Sequence, residues 1–400
     1  MNYDVIVIGA RAAGSPTAML LARKGYRVLA VDRATFPSDT LSTHVIHAPG
    51  VAALQRWGLL DRVLATGCPA ITDYSFDFGM FTIRGTSRPV DGISDAYAPR
   101  RTVLDQILVD AARAAGVEVR EGWNVDEVIL EHGVVVGIRS GDCEDRASIV
   151  IGADGRNSRV AQAVRAVDYN PKPRLQYSYY TYFSDLPTTT FESYIRPDRG
   201  FACAPTNHGL TMVVAGWPYA EAQAYKADVV GNFFQTLKLA PAFADRVSRA
   251  TREAPFLGGA VPSWFRKPYG EGWALVGDAG YNKDPITAQG ITDAFLDAER
   301  CTEAIDQWLG HGGPFTEVMG AWHQERDFKA MPMYEFTAQL ATLELPPPEM
   351  QQLLGAVHGD QAAMDGFVSV VSGAVSPAEF FSEDSVSRIL AAAPAGVPVG

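Results

Sequence analysis

The sequence predicts an α/β fold in three parts: a discontinuous α/β domain, an inserted antiparallel β-sheet domain and a C-terminal helical region. Three observations support this prediction. The chain opens with a strand–helix–strand unit over residues 3–32, and from about residue 169 it changes to alternating strands rich in aromatic residues. It then returns to a buried strand at 272–280, which long helices follow at 289–309 and 314–341.

The opening unit begins with "YDVIVI", an apolar run typical of a strand that is buried on both faces. Residues 13–24 carry apolar residues at helical spacing, and "RVLAVD" forms the second strand. Between the first strand and the helix, "GARAAG" is close to the Gly-x-Gly-x-x-Gly turn of Rossmann-like domains. Gly9 and Gly14 keep the glycines that form the turn and allow the helix to pack on the strand.

Arg11 stands where the second glycine normally lets the backbone approach a pyrophosphate. An arginine can serve here if its backbone keeps a negative φ and its side chain swings aside, where it adds positive charge near the phosphates. Asp32 ends the second strand, at the place where an acidic residue bonds an adenosine ribose. A strand-to-helix turn without any ligand is the alternative interpretation.

Residues 33–50 form a long loop with Thr, Ser and His residues, and loops of this length inside a domain are usually functional or mobile. His44 and His47 lie in this loop and are the candidates for ligand contact or proton transfer. The alternative is that they cap a helix or bond the backbone. No other catalytic residue is assigned from the sequence.

Composition excludes several classes of function. The net charge is −12 at pH 7 and no basic run is present, which argues against a nucleic-acid partner. Four scattered cysteines lack the spacing of a zinc site and fit reduced thiols, so no metal is expected. Neither a signal peptide nor an apolar run of about 20 residues is evident, so we expect a cytoplasmic protein without a transmembrane segment.

Three more segments bear on the ligand. "GADGRNSRVAQAV" (152–164) and "LVGDAGYNKDPITAQGITDAF" (275–295) each place an Asp after a strand, and "RTVLDQIL" (101–108) begins a helix. Together with the opening unit, these segments resemble the signatures of class A FAD-dependent monooxygenases. This para-hydroxybenzoate hydroxylase-like family is related to geranylgeranyl reductases and flavin halogenases. The resemblance covers about residues 1–165 and 268–330.

The resemblance implies FAD as the cofactor. It places the pyrophosphate at the first turn, the adenosine ribose at the second strand, the ribityl chain at the Asp of residues 275–295, and the flavin ring at the helix start that follows. A helix N-terminus at that place would stabilise negative charge on a reduced flavin. The cofactor-binding residues implied are Gly9, Arg11, Ala13, Gly14, Asp32, Arg33, Arg101, Asp154, Gly155, Asp278, Pro285, Gln289 and Gly290.

Four positions depart from the family pattern. Besides Arg11, Ala288 replaces a glycine, Thr292 replaces a frequent Asn, and Tyr281 replaces a frequent His. The last three lie beside the expected flavin ring and could alter its mobility. An ordinary Asp at a strand-end turn remains the alternative for Asp154 and Asp278.

The changes in sequence pattern along the chain predict the domain limits. The FAD-binding domain comprises residues 1–78, 98–168 and 268–345, the β-rich substrate domain comprises 79–97 and 169–267, and the C-terminal helical segment comprises 346–400. The last ten residues are expected to be loosely held. In the substrate domain, one predicted strand contains Tyr177, Tyr179, Tyr180 and Tyr182, and one face of its sheet must be core, so about half of them are expected to be structural.

The resemblance implies hydroxylation of an aromatic or polyketide-like small molecule as the activity. NADPH or NADH acts as a transient co-substrate, and O₂ reacts through a flavin C4a-hydroperoxide. Alkene reduction of the geranylgeranyl reductase type and epoxidation stay open on the same fold. Halogenation is disfavoured because the Trp-x-Trp-x-Ile-Pro signature is absent. A non-enzymatic binding protein is the remaining alternative, and the oligomeric state is left open.

Overall fold

Two eight-stranded sheets organise the fold in this computed structural model, which describes residues 2–392. The mixed α/β architecture and the helices that close the chain confirm the predicted fold class. The last ten residues were expected to be loosely held, and of these, residues 393–400 lie outside the described part of the chain.

The first part of the chain forms most of the parallel sheet and its helices. Its elements are β1 (Asn2–Ile8), α1 (Gly14–Arg23), β2 (Val28–Val31), α2 (Ala48–Arg56), α3 (Leu60–Leu64), β3 (Ala70–Ile71), β4 (Asp73–Asp77), β5 (Thr82–Gly85), β6 (Ala96–Tyr97), α4 (Arg101–Ala114), β7 (Glu118–Arg120), β8 (Glu127–Glu131), β9 (Val134–Ser140), β10 (Cys143–Gly152) and α5 (Arg159–Ala163).

The middle of the chain forms most of the second sheet, with three helices between its strands. Its elements are β11 (Asp168–Lys172), β12 (Gln176–Ser184), β13 (Thr190–Arg196), β14 (Arg199–Pro205), β15 (Thr211–Pro218), α6 (Ala222–Ala227), α7 (Val229–Leu237), α8 (Pro241–Ser248), β16 (Thr251–Arg252), β17 (Leu257–Gly259) and β18 (Ser263–Arg266).

The last part returns to the first sheet and then becomes helical. Its elements are β19 (Tyr269–Gly270), β20 (Trp273–Leu275), β21 (Tyr281–Asn282), α9 (Gly290–Leu309), α10 (Phe315–Ala341), α11 (Pro348–His358), α12 (Gln361–Val371), α13 (Pro377–Phe380) and α14 (Glu383–Ala392). The strand expected over 272–280 is therefore shorter, because a turn of 3₁₀-helix takes over at Gly277–Ala279.

The first sheet has the strand order β19-β20-β10-β1-β2-β7, with β8 and β9 attached beyond β10. Strands β20, β10, β1, β2 and β7 run parallel, and their registers place Ile8 beside Gly152 and Val31, and Gly152 beside Leu275. Four strands thus end at the same edge of the sheet. In open α/β sheets, ligands bind outside this carboxyl edge.

The second sheet has the order β16-β12-β15-β14-β13-β4-β5, and β17 also pairs with β12. It is antiparallel except where β4 runs parallel to β13. By sheet membership, Asp73–Asp77 therefore belongs with the inserted sheet, although the predicted FAD-binding domain included residues 1–78. The limits of the domains stay a prediction.

Strand β12 separates its aromatic side chains between the two faces of the sheet. Tyr179 packs with Trp217 in an apolar cluster that α7 and α8 complete. These two helices were not part of the β-rich prediction for residues 169–267. Tyr180 and Tyr182 lie on the opposite face and are buried. The period of two along a strand explains this division.

The C-terminal helices α11 and α12 pack on β4 and β5 and share one apolar core with them. None of the helices in the described part of the chain combines the length and the apolar character that a bilayer-spanning helix needs. Within residues 2–392, no group of His, Cys, Asp and Glu side chains is arranged to hold a metal ion, and the four cysteines are unpaired.

Candidate functional site

Three turns from distant parts of the sequence meet at the carboxyl edge of the parallel sheet. The turn after β1 contains Gly9, the turn after β10 contains Asp154, and the turn after β20 contains Gly277. A Cβ built on Gly9 would lie 3.0 Å from the Cα of Asp154, and one built on Gly277 would lie 2.8 Å from the Cβ of Ala13. The fold therefore brings the predicted site residues Gly9, Ala13 and Asp154 close to one another, beside Gly277.

The first turn depends on two glycines. Gly9 has a φ of +97°, and a Cβ there would lie 2.5 Å from the carbonyl oxygen of Ala153. A Cβ on Gly14 would lie 1.7 Å from the carbonyl oxygen of Gly9. Both positions therefore exclude a side chain, as the Rossmann-like turn requires.

Asp32 stabilises the same turn from the end of β2. Its carboxylate accepts hydrogen bonds from the backbone N–H of Ala10 and of Ala34, each at 2.8 Å. The side chain is buried, whereas the neighbouring Arg33 is exposed. A bond from Asp32 to a ribose stays a prediction, and its two backbone bonds are compatible with it because a carboxylate has about four acceptor sites.

Arg11 turns away from the first turn and towards α4. Its φ lies outside the left-handed region. The guanidinium donates to Asp105 at 2.6 Å and to the hydroxyl of Ser38 at 2.6 Å. Arg101 also donates to Asp105, at 2.8–3.0 Å. The positive charge of Arg11, expected near the phosphates, is therefore paired with the buried carboxylate of Asp105, a partner that the sequence did not reveal. The side chain of Arg11 leaves the turn itself open.

The turn after β10 holds a buried oxygen without a partner. The Oδ2 of Asp154 accepts from the backbone N–H of Arg159 at 2.6 Å, while Oδ1 is buried and has no hydrogen-bond partner. Burial raises the pKa of Asp154. A Cβ on Gly155 would meet no atom within 4 Å. The turn thus combines an acceptor that lacks a donor with open space beside it.

Asp278 lies in the third turn, directly after Gly277. Its side chain is open to solvent, yet its pKa is raised because the surrounding protein displaces nearby water, an effect that Arg101 partly opposes. An exposed carboxylate at this place can accept hydrogen bonds from a polar ligand.

Residues 285–290 form the loop that leads into α9. Pro285–Thr287 is a turn of 3₁₀-helix, and Ala288 follows it with a φ of 53°. This left-handed conformation explains why the family usually has glycine there. Gln289 donates through Nε2 to the carbonyl oxygen of Val371 at 2.6 Å, so its side chain holds the C-terminal helices. Gly290 begins α9, and a Cβ there would meet no atom within 4 Å.

His47 fastens this loop to the inserted sheet. It is fully buried, its Nε2 lies 3.1 Å from the carbonyl oxygen of Thr287, and its Nδ1 lies 2.9 Å from the hydroxyl of Tyr74. Because a carbonyl only accepts, Nε2 carries the hydrogen and Nδ1 accepts from Tyr74. Burial lowers the pKa of His47 to about 4. These contacts agree with the backbone-bonding alternative for this residue.

His44 lies under the second sheet. Its Nε2 is 2.5 Å from the hydroxyl of Tyr182, and its Nδ1 is buried without a partner. Burial lowers the pKa of His44 to about 3, assisted by the positive charges of Arg101 and Arg100. A neutral ring follows at physiological pH, and a proton-transfer role stays a prediction.

A cavity of about 550 Å³ adjoins the loop of residues 285–290. Strands β12–β15, the end of α10 and helices α11 and α12 form its walls, and Thr43 and Pro285–Ala288 also line it. Its volume is typical of a small-molecule site. Its aromatic walls include Phe76, Phe78, Phe191, Phe336, Phe367 and Phe381.

Two polar residues beside this cavity, Asp284 and Gln176, escaped the sequence reasoning. Asp284 directly precedes Pro285 and is buried, and burial raises its pKa to about 7. Its Oδ1 accepts from the side-chain amide of Gln176 and from the backbone N–H of Ile286, while Oδ2 has no partner. The only signal in the sequence was an acidic residue next to the predicted Pro285.

These features fit an extended dinucleotide along the carboxyl edge. The glycine turns exclude side chains, Asp154 offers an unpartnered acceptor, and the backbone is open at Gly155 and Gly290. The start of α9 adds unpaired N–H groups and the positive end of a helix dipole. The individual contacts to a cofactor stay predictions.

Comparisons with known proteins agree with this geometry. The family model described as "FAD binding domain" matches residues 2–326. A digeranylgeranylglycerophospholipid reductase of Methanosarcina mazei is 30% identical over 328 residues, which cover 76% of each chain. The rifampicin monooxygenase of Streptomyces venezuelae is 24% identical over 385 residues, which cover 88% of this chain and 74% of the relative.

Among solved structures, the myxobacterial chondrochloren halogenase has a similar fold. The TM-score is 0.77 at 22% identity, and the match covers 97% of this chain and 96% of the halogenase. The three kinds of relative are those that the sequence motifs indicated.

Proposed function

The chain belongs to the FAD binding domain family, and from this premise we propose that it is a monooxygenase that hydroxylates an aromatic or polycyclic small molecule. NADPH or NADH would serve as a transient reductant and O₂ as the second substrate. The observation that carries the proposal is the aromatic-lined cavity of about 550 Å³ next to residues 285–290. A cytoplasmic location stays a prediction from the sequence.

FAD, when bound, supplies two-electron redox chemistry and reactivity towards O₂. Gly9 and Gly14 would hold its pyrophosphate, Asp32 its adenosine ribose, and Asp278 its ribityl chain. The N-terminus of α9 at Gly290 would stabilise negative charge on the reduced ring. These assignments combine the family resemblance with the turns that the fold brings together.

The cavity supports the substrate class. Phenylalanine rings on β4, β13, α10 and α12 offer flat apolar surfaces, against which fused aromatic rings pack well. With a substrate bound, these walls would also keep water from the reacting atoms. The similarity to the rifampicin monooxygenase supports the same type of reaction.

Reduction of an alkene is the second candidate. The relative that is 30% identical is a digeranylgeranylglycerophospholipid reductase, and an apolar cavity also suits an isoprenoid chain. The two candidates differ in their use of O₂, because a reductase consumes none.

The test is a flavin spectrum of the purified protein, followed by NADPH and NADH oxidation in air and under nitrogen with hydroxylated polycyclic aromatics. We expect bound FAD, and oxidation that a polycyclic substrate stimulates in air, with an oxygen atom gained by the product in mass spectrometry. Turnover of an alkene under nitrogen would favour the reductase. A protein that takes up no FAD would contradict both candidates.

A further inference from the structure

Gln176 is the buried amide side chain in the wall of the aromatic cavity. It lies on β12, on the same face as Ser178, and is 4% exposed. Gln339 also lines the cavity but is exposed to solvent. A buried amide among apolar side chains must satisfy its hydrogen bonds, so its orientation carries information about the ligand.

The contacts of Gln176 fix the orientation of its amide. Nε2 donates to Oδ1 of Asp284, and this oxygen also accepts from the backbone N–H of Ile286, so it acts as an acceptor towards the amide. Oε1 therefore points the other way and lies over Gly216, where a Cβ would be 2.5 Å from it. Gly216 itself lines the cavity. Among the described residues, no donor bonds Oε1.

Asp284, which orients the amide, is itself held by further hydrogen bonds. Its Oδ1 also accepts from the backbone N–H of Ile286 at 3.0 Å, and its own backbone N–H donates to the hydroxyl of Ser263 at 3.0 Å. The pair thus joins the sheet to the loop that begins at Pro285. Because these hydrogen bonds hold Asp284 in place, Gln176 presents Oε1 to the cavity in one orientation.

We infer that Gln176 determines substrate specificity by accepting, through Oε1, a hydrogen bond from a hydroxyl or N–H group on an aromatic ring, and that Asp284 is the positioning residue that orients it. The inference rests on the proposed function, because it names the class of substrate for the same cavity. It predicts that the site favours a hydroxylated polycycle over the unsubstituted ring system. A site built to bond a hydroxyl group rejects an analogue that lacks it.

The test compares 1-hydroxypyrene with pyrene in fluorescence binding titrations of the FAD-loaded protein. We expect 1-hydroxypyrene to bind about fivefold more tightly, as one net hydrogen bond allows. Gln176→Leu should abolish this preference while pyrene binding changes little. Gln339→Leu is the matched control in the same cavity and should keep the preference.

Two variants of Asp284 test the positioning role. Asp284→Leu removes the acceptor that holds Nε2, so the preference for 1-hydroxypyrene should fall. Asp284→Asn keeps an amide oxygen as acceptor and should restore the preference, which a purely structural role would not predict. Circular dichroism of each variant confirms that it is folded.

The inference is overturned if the unchanged protein binds 1-hydroxypyrene no more tightly than pyrene, or if Gln176→Leu and Gln339→Leu alter the preference equally. These measurements involve binding alone. A lack of O₂-dependent NADPH or NADH oxidation would instead contradict the proposed function, and the binding preference would still decide whether Gln176 selects a donor group.

Discussion

Gly14 packs directly against the backbone of Gly9, and a Cβ at Gly14 would lie 1.7 Å from the carbonyl oxygen of Gly9. The obstacle is purely steric because Gly14 has an ordinary φ. Gly25 has the opposite character, because its φ is +96° and a Cβ there would meet no atom within 4 Å. Substitution of Gly14 therefore tests close packing, whereas substitution of Gly25 tests backbone conformation.

We predict that Gly14→Ala lowers the free energy of unfolding by about 3 kcal/mol or more, because the helix must move away from the strand. It should also reduce the FAD that the purified protein retains. Gly25→Ala is the control, with an expected cost of about 1 kcal/mol from its left-handed backbone and unchanged FAD content. Urea denaturation and the flavin absorbance measure both effects. Equal losses in the two variants would contradict the steric explanation.

Asp284 makes stability depend on pH in a direction unusual for a carboxylate. Burial raises its pKa to about 7 in the folded protein from an ordinary value of 3.8. Between these values the folded state binds more protons than the unfolded state. The free energy of unfolding therefore falls as the pH rises through this window, by up to about 1.4 kcal/mol per pH unit.

We expect Asp284→Asn to remove this dependence, so that the variant gains stability relative to the unchanged protein between about pH 5 and about pH 8. Urea denaturation at the two pH values measures the difference. Asp142→Asn changes an exposed aspartate and should keep the same difference at both values. If the stability difference between Asp284→Asn and the unchanged protein were the same at both pH values, burial would not raise the pKa of Asp284 as expected.

At the scale of elements, the loop of residues 285–290 is held from several sides. His47 bonds the carbonyl oxygen of Thr287, and the Thr287 hydroxyl lies 2.9 Å from that of Thr337 on α10. Gln289 bonds Val371 at the end of α12. The loop therefore has a defined position although Ala288 adopts a left-handed conformation.

We predict that His47→Phe destabilises the protein by about 3 kcal/mol, because the Thr287 carbonyl and the Tyr74 hydroxyl lose a buried partner. The pKa of His47 is lowered to about 4 from 6.5, so the unchanged protein loses stability as the pH falls through this window. The variant should lack this contribution. Thermal denaturation across the window measures both effects.

The control for this prediction is His311→Phe, since the His311 side chain is 73% exposed. It should alter stability by less than about 0.5 kcal/mol. A cost for His47→Phe as small as that of the control would mean that the loop is held without this histidine.

At the scale of the whole molecule, the C-terminal helices form part of the cavity wall and share a core with the inserted sheet. Phe367 on α12 meets Phe76 on β4 edge to face, with ring centroids 5.4 Å apart. Both side chains are buried. The helices, the sheet and the cavity should therefore unfold together.

Phe367→Ala tests this cooperativity. We expect a loss of about 4 kcal/mol in one transition that tryptophan fluorescence and circular dichroism report alike. Phe328→Ala, at a side chain that is 81% exposed, should change stability by less than about 0.5 kcal/mol. Two separate transitions would show instead that the C-terminal helices unfold independently.

Elements and motifs that depend on local physics could be predicted from the sequence alone. Apolar periodicity identified the opening strand and helix, and the glycine spacing identified the turn at Gly9 and Gly14. The motif Asp residues could be found because each lies in the turn after a buried strand. These features depend on neighbours in the chain, so one sequence suffices to predict them.

The packing of the folded chain, by contrast, determines which distant side chains meet. It paired Arg11 with Asp105, assigned both nitrogens of His47 to backbone and tyrosine partners, and placed β4 in the inserted sheet. It also joined Gln176 to Asp284 across 108 positions. Such contacts depend on how sheets and helices pack rather than on local propensity, and that is why the cavity and its polar pair could not be predicted from the sequence.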